Sequence, residues 1–474
     1  ITVLSTQQPY LSQTNESISL SLSLSPENGR ASLTVALRRL SELAAWVGLS
    51  AFFVSGCSSG SNGSSAPFEY VLHQAPFKVN YYDYGGDGIG TGDLYTWIAP
   101  FTAEDGRTGT IAGEHQTVTM PTEGPFREVR IGSALLDFGN GDKITLGGLI
   151  TAAMPGQPLA PGAEEANAIT RGTGAFAGAK GEVRSLRAQD GSWTHTLSYR
   201  SADRRLQGRT LTDITLPLGV AVDTNWNGMI DAGDFRTFHW QSTVTDCRGD
   251  NLFLTDPGVD GSPAWSYGYV ACVIDGDVLI TVAGHTPVTD NGQLVGPAAN
   301  TIVGGTGRFA GATGERVIEQ LGNGSFKASI NLLPEPAGTL DRRLVLHTGF
   351  PHLVNRNLGT SSSMGDQQAW VLPFTSDDGK AGNAYGYGWT VKPASGSSDL
   401  LTVLGLISLQ FSDGSTLLIA ELHAEHTALP QAADERITRA VIGGTGAFAG
   451  VSGEVVTTLD GAGGLIHTFT LLAE

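Results

Sequence analysis

One string of residues occurs three times in this chain. It reads ITRGTGAFAGAKGE at Ile169–Glu182, IVGGTGRFAGATGE at Ile302–Glu315 and VIGGTGAFAGVSGE at Val441–Glu454. Thr173, Thr306 and Thr445 lie 133 and 139 residues apart. That is the length of a domain, not of a solenoid unit of roughly 20 to 50 residues. Other signals travel with the motif. Upstream stand GDLYTWIAPFT (Gly92–Thr102), GDFRTFHWQST (Gly233–Thr243) and GDQQAWVLPFT (Gly365–Thr375). Asn140-Gly141, Asp275-Gly276 and Asp413-Gly414 precede the three copies, and Asp190-Gly191, Asn323-Gly324 and Asp460-Gly461 follow them. Such dipeptides between apolar alternations are strong hairpin signals, because both residues tolerate positive φ. Six of them in matching places predict three copies of one β-domain.

Composition agrees. The 64 glycines are about double the usual share of roughly 7%, and no long segment after residue 60 shows helical spacing. Runs such as KITLGGLIT (Lys143–Thr151) and VLITVAGH (Val278–His285) read as strands. With 40% hydrophobic residues, three ordinary cores can be buried. Short strands with regularly spaced turns imply a sandwich or barrel. The glycine motif invites a phosphate-loop reading, but it leads into GEVRSL, GERVIEQ and GEVVTTL, which alternate like strands and not like the helix that such a loop requires. It is read instead as a tight turn at a barrel bend, with Phe176, Phe309 or Phe448 plugging the core.

The order GDLYTW, GTIAGEH (Gly109–His115), GNGDKITLGG and GTGAFAGAKGE resembles that of plant allene oxide cyclases, in the superfamily that also includes dirigent proteins. Repeat 3 follows the same order with GDQQAW, GNAYGYG, SDGSTLLIAE and GGTGAFAGVSGE, and repeat 2 fits least well before its hairpin. The resemblance implies an all-β fold of three tandem eight-stranded antiparallel barrels, at 68–203, 204–335 and 336–474. It also implies apolar cavities that bind a small hydrophobic molecule, and an isomerase or cyclase activity that works by shaping the ligand.

Carried residue by residue, the resemblance places the family's cavity cysteine at His115 in repeat 1 and Gly388 in repeat 3. His115 is the best acid–base candidate, since histidine titrates near neutral pH. Its neighbour Glu114 is the candidate catalytic partner, but the two must point to opposite strand faces, so the expectation is one side chain in a cavity and the other in solvent. In repeat 3, Tyr385, Tyr387 and Trp389 alternate and are candidates to line a cavity or to fill a core. Glu421, His423 and Glu425 share a strand face opposite Leu418, Ala420, Leu422 and Ala424. The apolar set is read as core and the polar trio as solvated.

DTNWNGMIDAGD (Asp223–Asp234) has the spacing of a twelve-residue calcium loop. Asp223, Asn225 and Asn227 supply oxygens, Gly228 the turn, Met229 its carbonyl, and Asp231 and Asp234 the closing positions. Asp in place of the usual final Glu weakens the match, and LTDITLPLGVAV before it reads as a strand. A structural Ca2+ is expected; the alternative is an ion-free Asn/Asp/Gly turn.

VALRRLSELAAWVGLSAFFVSGC (Val35–Cys57) has two arginines, an apolar stretch and small residues before a cysteine, the layout of a secretory signal. VSGC resembles a bacterial lipoprotein cleavage box with Cys57 as the lipidated residue, and Ser58–Pro67 reads as a flexible tether. Residues 1–34 are expected to be a disordered upstream extension. The product is then exported and lipid-anchored at a bacterial outer membrane or cell surface. Cys247 and Cys272, both in repeat 2, suggest a disulfide in an exported protein. The net charge of −18 falls after residue 56 with no basic cluster, which excludes nucleic acid as a partner. Two functions remain. One is a barrel that binds a small hydrophobic molecule, either as a carrier or as a cyclase that orients it; the other is a non-catalytic, calcium-stiffened structural or adhesive protein.

Overall fold

In the computed structural model the described residues are 67–472, apart from 85–87, 120–127, 153–158, 201–209, 223–230, 243–244, 256–263, 289–293, 323–324, 334–341, 350–353, 357–364, 393–399 and 427–435. The upstream extension, the signal segment with Cys57 and nearly all of the tether lie outside them. Every element is a strand or a single 3-10 turn among these residues.

Repeat 1 consists of β1 (Phe68–Gln74), β2 (Val79–Tyr82), β3 (Leu94–Ala103), β4 (Thr108–Thr119), β5 (Glu128–Asp137), β6 (Lys143–Ala152), β7 (Glu164–Thr173), β8 (Lys180–Arg187) and β9 (Trp193–Arg200). Repeat 2 consists of β10 (Thr210–Val222), β11 (Phe235–Gln241), β12 (Asp246–Phe253), β13 (Ala264–Ile274), β14 (Asp277–Val288), β15 (Ala298–Gly305), β16 (Gly314–Gln320) and β17 (Phe326–Leu332). Repeat 3 consists of β18 (Arg342–Thr348), β19 (Val354–Arg356), β20 (Gln367–Ser376), β21 (Ala381–Lys392), β22 (Leu400–Phe411), β23 (Thr416–His426), β24 (Ile437–Thr445), β25 (Ser452–Leu459) and β26 (Leu465–Leu472).

All pairings are antiparallel and each sheet draws its strands from one repeat. In repeat 2, β10 pairs with both β11 and β17, giving a closed barrel. Repeats 1 and 3 count nine strands each, but their closed rings have the expected eight, β1 with β3–β9 and β18 with β20–β26, joined by the β1–β3 and β18–β20 pairings. There the opening strand is broken in two. β1 pairs with β9 along its length and with β3 at Leu72–Gln74, and β2 continues along β3. Pro76 sits in the break, where its missing N–H cannot serve a ladder.

The hairpin dipeptides fall where the turn chemistry demands. Asn140-Gly141 and Asp275-Gly276 join β5 to β6 and β13 to β14 with positive φ at both residues. Each glycine motif makes one 3-10 turn, at Gly174–Phe176, Gly307–Phe309 and Gly446–Phe448, and buries its phenylalanine in the core of its own repeat. The motif also has a role that reading one repeat alone does not show. Glu182 of repeat 1 accepts the Gly446 N–H of repeat 3 at 3.0 Å, and Glu454 of repeat 3 accepts the Gly307 N–H of repeat 2 at 3.0 Å. The terminal glutamate of one copy thus caps the turn of another.

The three repeats form one compact unit. β7, β15 and β24, the strands that lead into the three motifs, pack against one another. A single apolar cluster joins outward-facing residues of all three repeats, among them Leu94, Ile131, Phe235, Tyr269, Trp389 and Leu406. Alternation decides this arrangement: along β22, Ile407 and Leu409 face the interior of repeat 3, whereas Leu404 and Leu406 face the junction. The cross-strand partners Cys247 and Cys272 are disulfide-bonded inside repeat 2.

Candidate functional site

The inward rows of repeat 1 change character along the strands. At one end Leu72, Phe101, Ile111, Leu136, Phe176 and Leu197 fill the interior. Two to six residues further along the same rows the inward positions become Gln74, His115, Arg130, Asn167, Ser185 and His195. Between them lies a cavity of about 90 Å³ with Tyr95, Trp97 and Trp193 in its walls. Ile150, Leu159 and Trp193, with Phe77 against them, form an apolar cluster beside it.

Two strand glycines make room for the polar side chains. A Cβ at Gly132 would stand 2.2 Å from His115 Cδ2, and one at Gly148 would stand 2.0 Å from Asn167 Oδ1. His115 lies against Trp97, with ring centroids 4.3 Å apart. Burial and the nearby Arg130 guanidinium hold its pKa well below the usual histidine range, so the imidazole is neutral at pH 7. Arg130 donates to Glu128 at 2.6 Å and lies 3.9 Å from the centre of the Tyr95 ring. Glu128 also accepts from Tyr95 Oη at 3.1 Å and Thr117 Oγ1 at 2.6 Å. Glu165 accepts from Asn167 Nδ2 at 3.2 Å. Burial raises its pKa to about 7, against the pull of Asn167 and Arg130. A neutral imidazole and a carboxyl that titrates near neutrality therefore border one small space, a combination suited to moving protons.

Register shows how far this is particular to repeat 1. Tyr95 and Trp97 of β3 pair with His115 and Gly113 of β4, while in repeat 3 Trp370 pairs with Gly386, two residues before Gly388. His115, Arg130 and Glu165 thus correspond to Gly388, Val403 and Ile437. In repeat 3 the space of the imidazole is taken by Val403, whose Cγ1 would lie 2.4 Å from a Cβ at Gly388. The interior of repeat 3 is packed with Leu346, Phe374, Ile407, Phe411, Phe448 and Phe469.

Glu114 does face away from His115, but not into solvent. It is 6% exposed and lies at the junction of the three repeats. Tyr387 Oη of repeat 3 donates to Glu114 Oε1 at 3.0 Å, and Ser133 Oγ donates to the same oxygen at 3.2 Å. Burial, then the neighbouring Asp250 carboxyl of repeat 2, raise its pKa to about 7, while those two donors pull it down. Asp250 accepts the Tyr269 N–H at 3.3 Å and is itself raised to about 7 by burial. Gly113, Gly249 and Gly386 hold equivalent register positions opposite Trp97, Phe238 and Trp370. The next residues are Glu114, Asp250 and Tyr387, so one outward position of the repeat is met three times at the junction.

The aromatics Tyr385, Tyr387 and Trp389 belong to this junction and not to a cavity in repeat 3. Trp389 packs on Phe235 with centroids 4.6 Å apart. Leu418 and Ala420 likewise face the junction, whereas Leu417 and Ile419 fill the interior of repeat 3. The apolar face read as the core of β23 is therefore its outer face. The side chains of Glu421, His423 and Glu425 lie outside the described residues.

Most of the calcium-type loop, 223–230 with Asp223, Asn225, Asn227 and Met229, also lies outside them. Of its two described acids, Asp234 is fully buried and accepts the Asp231 N–H at 2.9 Å. The equivalent Asp93 accepts the Gly90 N–H and the Tyr81 hydroxyl, so closing this turn is a task that repeat 1 performs with the same residue. Among the described residues no group of three or more His, Cys, Asp and Glu is placed to hold a metal.

Of the residues that line the cavity, His115 was a candidate from the sequence, whereas Arg130, Glu165, Asn167, Gln74, Ser185 and His195 were not. The signal available was parity: each is a polar residue in a row whose other members are core, as with Leu72 and Gln74 or Val183 and Ser185.

The chain matches no model of a known protein family, and no curated protein sequence matches it. Among solved structures it is similar to one described as a pyocyanin demethylase, at 16% identity and a TM-score of 0.22, over 28% of this chain and 99% of that one. At that score the likeness decides neither fold type nor chemistry.

Proposed function

We propose that repeat 1 is a small-molecule-binding barrel of the allene oxide cyclase type, able to assist a proton-coupled isomerisation or cyclisation of its ligand. Repeats 2 and 3 serve as its scaffold, and the protein works at the cell envelope, anchored through Cys57. The observation that carries this reading is the replacement of His115, Arg130 and Glu165 by Gly388, Val403 and Ile437 in repeat 3. A purely structural triplication has no need of these three groups in repeat 1, since repeat 3 packs its interior without them. The cavity of about 90 Å³ is small beside the ~300 Å³ or more of drug-sized sites, so the ligand is of single-ring size, apolar in its body and polar at one edge. His115 and Glu165 would exchange protons with that edge.

The test borrows the residues of repeat 3. Binding of phenol and cyclohexenone is followed by tryptophan fluorescence, since Trp97 and Trp193 stand in the wall. His115→Gly combined with Arg130→Val should weaken binding at least about tenfold with circular dichroism unchanged. Equal binding by wild type and variant would sink the assignment.

The calcium-stiffened spacer remains a second reading because the spacing from Asp223 to Asp234 is that of a calcium loop. It predicts a melting temperature that falls on addition of chelator and returns with Ca2+. Identical melts with and without chelator would remove it.

A further inference from the structure

We infer that Ser185, His195 and Gln74 form a nucleophile, base and orienting group inside repeat 1, able to accept a small acyl group from an ester. The inference rests on the cavity reading above, since all three residues line that space. Ser185 Oγ lies 2.8 Å from His195 Nδ1, and His195 Nε2 lies 2.6 Å from Gln74 Oε1. The amide oxygen of Gln74 can only accept, so Nε2 carries the proton and Nδ1 presents its lone pair. Ser185 must then donate to Nδ1, which leaves its oxygen lone pairs for an electrophile. That is the arrangement of a triad, recognised by geometry and role and not by sequence position. Burial, with a smaller contribution from His73, lowers the His195 pKa to about 4, so the base is unprotonated at neutral pH. Trp193 lies parallel to the imidazole, with centroids 6.2 Å apart, and adds an apolar wall suited to an aryl leaving group.

The other repeats supply built-in comparisons. In repeat 3 the equivalent residues are Thr457, His467 and Thr348, hydrogen-bonded at 2.9 and 3.0 Å. There the interior is filled and the orienting group is a hydroxyl, which can donate or accept and fixes no tautomer. In repeat 2 the positions of Ser185 and His195 are Ile318 and Ala328.

In the reaction, Ser185 Oγ forms a bond to the acyl carbon and passes its proton to His195 Nδ1. The C–O bond to the alcohol or phenol breaks, and His195 returns the proton to the departing oxygen. Water then attacks the acyl carbon, releasing a carboxylic acid and restoring the serine. With Gln in place of a carboxylate the imidazolium is unsupported. Slow, nearly stoichiometric acylation is therefore expected instead of rapid turnover.

The probe is 4-nitrophenyl acetate, with release of nitrophenolate, intact mass and peptide mapping as readouts. Wild-type protein should gain one acetyl group on the peptide that contains Ser185. Ser185→Ala should not, His195→Gln should slow labelling at least about 100-fold, and Thr457→Val should leave it unchanged. Gln74→Glu should raise the labelling rate and move its acid limit to higher pH, which a merely structural contact would not do. If Ser185→Ala fails to fold, Ser185→Cys replaces it and should acylate faster. Wild-type protein that binds phenol yet takes no acetyl at Ser185, or takes it equally in His195→Gln, overturns the inference and leaves the cavity reading standing. Protein that neither binds phenol nor is labelled overturns both.

Discussion

Replacing Glu114 by Gln should make the protein more stable at alkaline pH and leave it nearly unchanged in acid. In the folded protein the carboxyl is buried beside Asp250 and titrates at about 7, against an ordinary 4.5. Between these values the folded protein keeps a proton that the unfolded chain has released, so stability falls as pH rises. The contribution is fully present below about pH 4.5, is lost progressively, and is gone above about pH 7. A shift of this size corresponds to about 3 kcal/mol. Gln keeps an acceptor oxygen for Tyr387 and Ser133 but cannot ionise. The phenols that face it, Tyr267, Tyr269 and Tyr387, are all pushed upward by burial and stay neutral through this window. Asp250 and Glu165 titrate near neutrality in both proteins, so the readout is the gap between the two pH profiles. For a unit of roughly 400 residues, about 2 cal/mol/K per residue gives on the order of 1 °C per kcal/mol. Scanning calorimetry from pH 4.5 to 9 should therefore show the variant pulling ahead by about 3 °C above pH 7. Parallel curves, or a variant that is less stable at pH 8.5, would refute the placement of an ionisable carboxyl at a dry junction.

Three further outcomes follow from the geometry. Reducing the Cys247–Cys272 bond, or replacing both residues by Ser, should cost about 3 kcal/mol for a loop of 25 residues, read as the melting shift with and without reductant. Gly132→Ala puts a Cβ 2.0 Å from the Glu114 carbonyl oxygen and 2.2 Å from His115 Cδ2; it should cost about 1–3 kcal/mol and abolish phenol binding, measured by melting and fluorescence. Glu454→Ala removes the acceptor from the Gly307 N–H. It should cost about 0.5–1 kcal/mol and raise amide exchange at Gly307 and Arg308 without changing exchange in β8.

Those features that depend on one repeat alone were legible in the sequence. Asn140-Gly141 and Asp275-Gly276 fix hairpins through backbone conformation, and Phe176, Phe309 and Phe448 enter the core because the glycine turn aims them there. Alternation correctly separated His115 from Glu114. What alternation cannot supply is the surroundings of each face. Leu418 and Leu417 look equally apolar in a linear sequence, yet one meets another repeat and the other its own interior. Tyr385, Tyr387 and Trp389 fill a core, the second of their two readings, but for the same reason the sequence could not say that this core is the junction. Nothing within a single copy marks Glu182 and Glu454 as caps, because the turns that they cap belong to a neighbouring repeat. The broken first strand of repeat 1 had a signal, Pro76, that marks an interruption without showing that both halves stay on β3.

Placing three copies in one chain has a consequence for what the junction can contain. In an assembly of identical subunits around a threefold axis, any residue near the axis occurs three times. Three copies of Glu114 would crowd three carboxylates into a dry space, and three copies of Arg171 would compete for one volume. In the fused chain the position of Glu114 is filled by Asp250 and Tyr387, so an acid meets a phenol that donates to it. The position of Arg171 is filled by Gly304 and Gly443. Arg171 is fully buried and donates to Gly311 O of repeat 2 at 3.3 Å, while a Cβ at Gly443 would already stand 3.0 Å from the Ala168 Cβ. One large cation fits beside that axis because its two counterparts have no side chain. The same freedom lets repeat 1 keep polar groups that would cost stability three times over in a symmetric trimer, while repeat 3 has Gly388, Val403 and Ile437 in their places and repeat 2 buries a different inward pair, Asn300 and Arg316. Transplanting Arg130 and His115 into repeat 3, as Val403→Arg with Gly388→His, should accordingly destabilise the protein by several kcal/mol; a variant that melts with wild type would mean that the three interiors are interchangeable and the asymmetry carries no function.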